Sequence, residues 1–256
     1  MAQDDVEFVR AIDDKIAALA AQNAPQRFLK DIAKWVWKMP GRGAIVDGTE
    51  TETFATAGIR NIGFVLFVKS KVAIPDLNGI LGLPWHVLAR PCDRENLDFP
   101  LYQDGILMGF RRPDARNITM TVNATTIDEK AHRWTLKEME YEFELVLDRK
   151  RKREICKPLS DASLDSFVFK DTDGKLFMEP KGFGYYQNRR VPPIFLADIK
   201  EPLGIEDNIV FNTGYFLIAM KDAGCVLRIF RNGGIDISFE TDYAAYTYRL
   251  IGKKRN

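Results

Sequence analysis

The chain has 256 residues, of which 46% are hydrophobic and 11% aromatic, and its 37 basic and 36 acidic side chains leave a net charge of +1. This composition is sufficient for a large buried core, so it excludes intrinsic disorder and collagen-like order. A nearly neutral chain is not expected to coat nucleic acid, because binding to phosphates needs an excess of lysine and arginine. A local basic patch is still compatible with these numbers.

The sequence carries no targeting signal or metal motif. Its start, Met1 to Arg10, is acidic and no apolar segment follows, so we expect no secretory signal peptide. No window approaches the 18 apolar residues that a membrane-spanning helix needs. Cys92, Cys156 and Cys225 are far apart and fit no zinc pattern. We therefore expect reduced thiols, no metal, no cofactor and no membrane, in the reducing cytoplasm or in an assembled virion.

Residues 1–42 are predicted to form a helical segment. Apolar residues between Val6 and Ala20 recur mostly at spacings of three and four, which is typical of an amphipathic helix. A second helix, with an apolar stripe from Phe28 to Val36, ends at Pro40-Gly41. Trp35 and Trp37 lie on different faces of this helix. We expect at least one of them to contact another element or another subunit, and both are candidate partner contacts.

Residues 43–256 are predicted to form one β-rich domain. Phe64 to Val68 is a continuous apolar run, as in a strand that is buried on both faces. Residues 118–123 alternate between apolar and polar, which predicts a half-exposed strand. Residues 140–147 fit both a strand and a helical stripe, and we favour the strand.

The C-terminal third predicts an antiparallel meander. Asp173-Gly174 supplies the positive backbone dihedrals of a tight hairpin turn between strands at 167–169 and 176–178. Residues 182–204, with three prolines, are predicted to be an extended connector. Turn signals about every ten residues separate further predicted strands at Ile209–Phe211, Tyr215–Met220, Val226–Phe230, Ile235–Phe239 and Tyr243–Ile251. The predicted class is α+β, mainly antiparallel β, in which an N-terminal helical segment precedes hairpins and a meander that form a sheet, sandwich or barrel.

Two segments are candidate binding sites. The basic run 149–153 could bind nucleic acid or an acidic neighbouring subunit. We favour a solvated turn between strands, balanced by Asp148 and Glu154. The glycine-rich loop 182–190 could stack single-stranded RNA bases on its aromatic rings. The alternative for this loop is a structural role in which the aromatics cover the core. The candidate contact residues are Arg149, Lys150, Arg151, Lys152, Arg153, Tyr185, Tyr186, Arg189 and Arg190.

The common enzyme motifs are missing. The chain has two histidines and lacks a nucleophile elbow, a phosphate-binding loop, a dinucleotide fingerprint and a zinc-protease motif. We therefore do not expect an enzyme. If the chain is one, its site would be the cavity of a lipocalin-like barrel with isomerase or cyclase chemistry, in which a histidine is the acid or base. The candidates for that site are His86, His132, Trp85, Tyr102 and Trp134.

The last third of the chain also carries a family resemblance. Its residues are Lys170–Phe177, Val191-Pro-Pro193 followed by Asp198–Pro202, Gly214–Ala219, Asp222-Ala-Gly224, and Tyr246–Arg249 before Gly252. From about residue 167 to the end, this order of pieces resembles the axial-domain hairpin, the proline-marked return and the closing strands of HK97-type phage major capsid proteins. The first two thirds depart from that pattern, since no long spine helix follows the N-terminal helices.

The resemblance implies a structural subunit of a phage-like particle, either a capsid, tail or adaptor component. Such a subunit would assemble with copies of itself or with other particle subunits, without catalysis. The alternatives are the lipocalin-like small-molecule barrel and an RNA-binding module that uses residues 149–153 and 183–190. Nucleic acid is a possible partner that the net charge does not support.

Overall fold

The computed structural model is an α+β structure built mainly of antiparallel strands, as the sequence predicts. It describes residues 28, 31–32, 34–35, 39, 43–59, 63–74, 79–84, 98–103, 106–111, 125–126, 136, 139–161, 164–181, 191–206, 208–220, 224–231 and 233–254. The predicted helix at 6–20 and the predicted strand at 118–123 lie outside these residues.

The first half of the described chain contains strands β1 (Gly43–Gly48), β2 (Thr53–Ile59), β3 (Phe64–Ser70), β4 (Gly79–Pro84), β5 (Asp98–Gln103), β6 (Ile106–Arg111) and β7 (Thr125–Thr126). The second half contains β8 (Phe143–Leu147), α1 (Arg149–Asp161), β9 (Ser166–Thr172), β10 (Lys175–Lys181), β11 (Ile194–Asp198), β12 (Ile209–Asn212), α2 (Thr213–Ala219), β13 (Cys225–Ile229), β14 (Gly234–Glu240), β15 (Ala244–Ile251) and β16 (Lys253–Lys254).

The strands form two large open sheets and one separate hairpin. The larger sheet has nine strands in the order β7-β4-β1-β2-β3-β15-β14-β13-β8, and the second has five in the order β11-β10-β9-β12-β16. Strands β5 and β6 pair only with each other among the described residues. Both large sheets end in edge strands, so a closed barrel, one of the predicted forms, is wrong for this part of the chain.

A helix followed by a three-stranded antiparallel meander occurs three times. Helix α1 precedes β9-β10-β11, α2 precedes β13-β14-β15, and helical residues between 28 and 35 precede β1-β2-β3. In the C-terminal half a strand also precedes each helix. Each of these two strands pairs with the meander of the other unit and not with its own. Strand β8 pairs with β13, whereas β12 pairs with β9. Each unit therefore completes the sheet of the other.

The third strands of two meanders join the two halves of the chain. Residues 64–70 of β3 run antiparallel to residues 244–250 of β15, and this pairing makes the nine-stranded sheet continuous. The third strand of the remaining meander, β11, pairs only with β10 among the described residues. Its other edge is not paired within that part of the chain.

Alternating burial explains the strands that the sequence predicts best. In β15, residues Ala244, Tyr246, Tyr248 and Leu250 are buried, and the residues between them are more exposed. This period of two is the pattern of a strand with one face on the core. The hairpin prediction at 173–174 is also confirmed, because Asp173 has φ 53° and Gly174 has φ 71° between β9 and β10.

Helix α2 packs between the two large sheets. The Phe216 ring lies 5.0 Å from that of Phe167 in the five-stranded sheet, and the Tyr215 ring stacks 4.8 Å from that of Phe64 in the nine-stranded sheet. The sequence predicts a strand at 215–220, and that prediction is wrong. The Asn212 side chain caps the helix by accepting a hydrogen bond from the Tyr215 N–H at 2.9 Å, which favours a helical turn at this point.

Two other sequence predictions need correction. Residues 149–153 were expected in a turn between strands, but they form the start of α1. Only two residues of α1, Ile155 and Leu159, are buried, and they lie four residues apart. The extended connector at 182–204 contains strand β11, which pairs with β10. The strand preference for 140–147 is confirmed by β8.

The N-terminal helical residues dock on the hairpin formed by β14 and β15. Asp31 is 3% exposed, and its Oδ2 accepts hydrogen bonds from the Thr241 hydroxyl at 2.6 Å and the Tyr246 hydroxyl at 2.7 Å. Trp35 packs on the rings of Phe239 and Tyr246, with centroids 4.6 and 5.8 Å away. The start of the chain is therefore tied to its C-terminal strands by both polar and aromatic contacts.

Among the described residues, no helix combines the length and the apolar character needed to cross a membrane.

Candidate nucleic-acid interface

The first turns of α1 carry the densest positive charge of the described chain. Between residues 149 and 157 there are six cations and one carboxylate. Helix N-termini favour acidic side chains, because the helix dipole is positive there, and α1 has none in its first turn. Stability alone does not explain five consecutive cations at this position. A conflict of this kind with local stability is typical of a functional site.

The preceding residue compensates for part of this conflict. The Asp148 Oδ1 accepts a hydrogen bond from the Arg151 N–H at 2.6 Å, and the Asp148 carbonyl accepts one from the Lys152 N–H at 3.0 Å. Asp148 is therefore the N-cap of α1, and its carboxylate lies at the positive end of the helix. The cap allows the helix to begin directly after β8.

The packing of α1 determines which cations face solvent. Ile155 and Leu159 are buried in the core, which turns the opposite side of the helix outward. Arg149, Lys150 and Arg153 are exposed, as is Lys157. Lys152 is half-buried. The exposed cations are spaced along about two turns of helix, which suits contact with a row of phosphates.

Arg151 differs from its neighbours because it contacts the edge strand β11. Its Nη2 donates to the carbonyl oxygens of Phe195 at 2.7 Å and Leu196 at 2.8 Å. Its Nη1 donates to Glu154 at 2.9 Å, and its guanidinium lies 5.7 Å from the centre of the Phe195 ring. The charge of Arg151 is therefore used within the chain.

A groove runs between α1 and α2 beside the exposed cations. Its volume is about 500 Å³, and its lining includes Arg153, Lys157 and Asp161 from α1 and Leu217 and Ile218 from α2. Helix α2 contributes no charged residue to this groove, because its sequence is TGYFLIA. The positive charge on this side of the described molecule comes from α1.

The thiol in this groove is not a nucleophile. Burial raises the pKa of Cys156 from 9.0 to about 11, although the charge of nearby Lys152 opposes the shift. The thiol is therefore protonated at neutral pH, and catalysis by a cysteine needs the thiolate. Cys156 and Cys225 form no disulfide. The described residues also contain no cluster of three metal-ligating groups.

The buried tyrosine beside Asp31 also stays protonated. Burial, together with the charge and hydrogen bond of Asp31, raises the pKa of Tyr246 above its ordinary value. Its hydroxyl donates to the carboxylate. This pair fixes the N-terminal helical residues and is not open to a ligand, since both side chains are buried.

The structure brings some of the sequence candidates together and leaves others undescribed. The five residues 149–153 share one helix, and Trp35 packs against β14 and β15 of its own chain. Tyr102 lies in β5, whose side chains are outside the described part. The candidates that lie wholly outside the described residues are Trp37, Trp85, His86, His132, Trp134, Tyr185, Tyr186, Arg189 and Arg190.

Sequence reasoning missed Lys157 and the edge strand β11. Lys157 lies one helical turn after Arg153. The helical spacing of Ile155 and Leu159, together with the acidic cap at Asp148, is the signal that could have indicated a helix containing Lys157. No such local signal marks β11 as an edge strand. Its position follows from the pairing of β9, β10 and β12.

The fold and this site define a class of α+β protein. It is built from repeated helix-plus-meander units, two of which share one continuous nine-stranded antiparallel sheet. Among solved structures, the chain is similar to the crystal structure of proliferating cellular nuclear antigen from Entamoeba histolytica, with a TM-score of 0.57 and 11% sequence identity. The match covers 88% of this chain and 94% of that chain. No family model and no curated protein matches the sequence.

This fold corrects the functional expectations from the sequence. A fold similar to that of proliferating cellular nuclear antigen, matched over 88% of the chain, replaces the expected phage-particle subunit. The open sheets replace the lipocalin-like barrel. Of the two segments behind the RNA-binding alternative, residues 149–153 start helix α1, and residues 183–190 lie outside the described residues. The resemblance of residues 167–256 to HK97-type capsid proteins is not tested by these matches and stays a prediction.

Proposed function

We propose that the chain is a subunit of a clamp-like ring that binds double-stranded DNA through the basic face of α1. The observation that carries this proposal is the repeated helix-plus-meander unit, whose third strands pair edge to edge. That pairing already joins β3 to β15 within the chain. The same pairing between copies would extend the sheet from one subunit to the next.

Strand β11 is the edge on which a second copy would pair. It is the third strand of its meander, as β3 and β15 are of theirs, and no second strand pairs with its outer edge among the described residues. An unpaired edge strand presents N–H and C=O groups that favour pairing with another chain. When β11 of one copy pairs with a different edge of the next copy, the contacts are head to tail, and a closed ring then leaves no such edge free, whereas an open array leaves two.

The charge of α1 supports DNA as the ligand. The exposed cations of residues 149–157 form a local positive surface on a chain whose net charge is only +1. Contacts to phosphates carry no sequence information and suit a protein that holds duplex DNA of any sequence. In a ring of several copies, each copy would contribute one such helix, so the weak contacts would add.

The proposed subunit is not an enzyme and uses no cofactor. Its partners are further copies of itself and duplex DNA. A reducing, cytoplasmic compartment suits the two described thiols, which form no disulfide.

The test is the solution mass of the wild-type chain and of an edge variant. The N–H of Ile199 donates to the Gly174 carbonyl next to β10, so the neighbouring amide of Asp198 points to the outer edge. Asp198→Pro removes that outward N–H, and Asp198→Ala is the matched control that keeps it. We expect the wild type and Asp198→Ala to form an oligomer of fixed mass, and Asp198→Pro to shift toward 29.2 kDa. A monomeric wild type at all protein concentrations would contradict the proposal.

A further inference from the structure

The edge strand β11 is bulged where Arg151 meets it. Leu176 pairs with Ala197 and Phe177 pairs with Phe195, which leaves Leu196 as an extra residue in β11. Phe195 is 38% exposed, and Leu196 is 2% exposed. In a regular strand, consecutive carbonyls point to opposite edges, so one donor cannot bond both. The bulge breaks this alternation, and the carbonyls of residues 195 and 196 converge on one nitrogen of Arg151.

Arg151 therefore directs its guanidinium at strand β11 and not at the surrounding surface. Its guanidinium donates to two backbone carbonyls and to Glu154, and its plane approaches the Phe195 ring. Arginine presents several donors in a fixed planar fork, whereas lysine is a single point of charge. A lysine at this position can keep the charge but not the same set of bonds.

We propose that Arg151 is a positioning residue for the contact between copies, through the shape that it gives to the edge of β11. This role rests on the proposed function, because it assumes that a second copy pairs with β11. Arg151 links the helix that contacts DNA to the strand that contacts the next subunit. Its neighbours in the basic run, Arg149 and Lys150, contact phosphates instead.

The experiment compares Arg151→Ala and Arg151→Lys with the matched variant Arg149→Ala, which removes the same charge two residues away. Sedimentation equilibrium measures self-association, and fluorescence anisotropy of a labelled duplex measures DNA binding at a protein concentration that keeps each variant assembled. Hydrogen exchange of the β11 amides, measured on each full-length variant, reports whether the strand edge has changed.

We expect Arg151→Ala to weaken self-association about tenfold, which corresponds to about 1.4 kcal/mol, and to speed exchange of the β11 amides. Arg151→Lys is expected to recover only part of either loss. Arg149→Ala is expected to weaken DNA binding and to leave self-association and β11 exchange unchanged. Phe195→Ala, which removes the ring but keeps both carbonyls, is expected to weaken self-association less than Arg151→Ala does.

Two results separate this role from the function on which it rests. Unchanged or tighter self-association of Arg151→Ala, with a wild type that does assemble, would overturn the positioning role alone. A wild type that neither assembles nor binds the duplex would overturn the proposed function, and the positioning role would fall with it.

Discussion

The clearest prediction concerns the salt dependence of DNA binding when the exposed cations of α1 are removed. Arg149, Lys150 and Arg153 are exposed and lie at the start of the helix. Each cation that contacts a phosphate of duplex DNA contributes about 0.9 to the slope of log affinity against log salt concentration. One lost contact therefore lowers the slope by about 0.9 for each copy that touches the DNA.

The triple variant Arg149→Ala, Lys150→Ala, Arg153→Ala magnifies this effect. It is expected to lower the slope by about 2.7 per bound copy, because three contacts are lost. The assay is fluorescence anisotropy of a labelled duplex over a range of potassium chloride concentrations. The matched control is Lys170→Ala, since Lys170 is exposed on the face of β9 opposite to the buried Phe167 and Phe169.

The control is expected to keep the wild-type slope. A triple variant with the wild-type slope would refute the assignment of α1 as the phosphate-binding surface. A loss of slope of about 0.9 per bound copy in Lys170→Ala, which removes one charge, would also refute it, because the effect would then follow net charge and not position.

Three further predictions concern stability, each measured by urea denaturation. Asp31→Ala is expected to lower the unfolding free energy by about 3 kcal/mol, because the buried Tyr246 hydroxyl loses its charged acceptor; a loss below about 0.5 kcal/mol would contradict this role. The pKa of Cys156 is raised from 9.0 to about 11. Its stabilising effect is therefore complete below pH 9 and is lost as the pH rises toward 11, so Cys156→Ala should flatten the decline of stability in that interval. A decline as steep as that of the wild type would contradict the shift. Gly174→Ala is expected to cost about 1 kcal/mol, because φ is +71° and an added methyl meets only the Ile199 carbonyl at 3.6 Å. An unchanged stability would show that the turn tolerates a side chain.

Local patterns in the sequence predicted the elements whose signals lie within their own few residues. The strand predicted at 243–251 and the Asp173-Gly174 turn carry their signals within a few positions, and both are confirmed. Helix α1 was missed because its first five residues are cations and Pro158 lies inside it. These features are unfavourable to a helix, and the Asp148 cap and core contacts of Ile155 and Leu159 overcome them.

The parts of the site that depend on distant pairing could not be read from the sequence. The apolar run at 215–220 fits a strand equally well, and the cap at Asn212 and the contacts of Tyr215 and Phe216 with both sheets favour a helix. No repeat is detectable in the sequence, although the helix-plus-meander unit occurs three times in the described structure. Buried positions in such a unit require only apolar residues of suitable size, so the unit can recur without recognisable sequence similarity. The edge status of β11 follows from this arrangement.

The basic run shows how a local prediction can be wrong about structure while its predicted role stays untested. The sequence analysis named residues 149–153 as candidate contacts and favoured a solvated turn. The structure places them on a helix, where exposed Arg149, Lys150 and Arg153 and inward-bonded Arg151 have different surroundings. The burial of Ile155 and Leu159 fixes the rotation of α1 about its own axis, and this rotation decides which cations reach solvent. That rotation depends on the core and not on the run itself.

The most direct measurement of the central claim is retention on circular against linear DNA. The chain is assembled on a nicked circular duplex at low salt, the salt is raised to abolish phosphate contacts, and bound protein is separated by gel filtration before and after the circle is cut once. A ring around the duplex is expected to stay on the circle at high salt and to be lost after cutting, because it slides off the ends. Equal loss from circular and linear DNA at high salt would contradict the account.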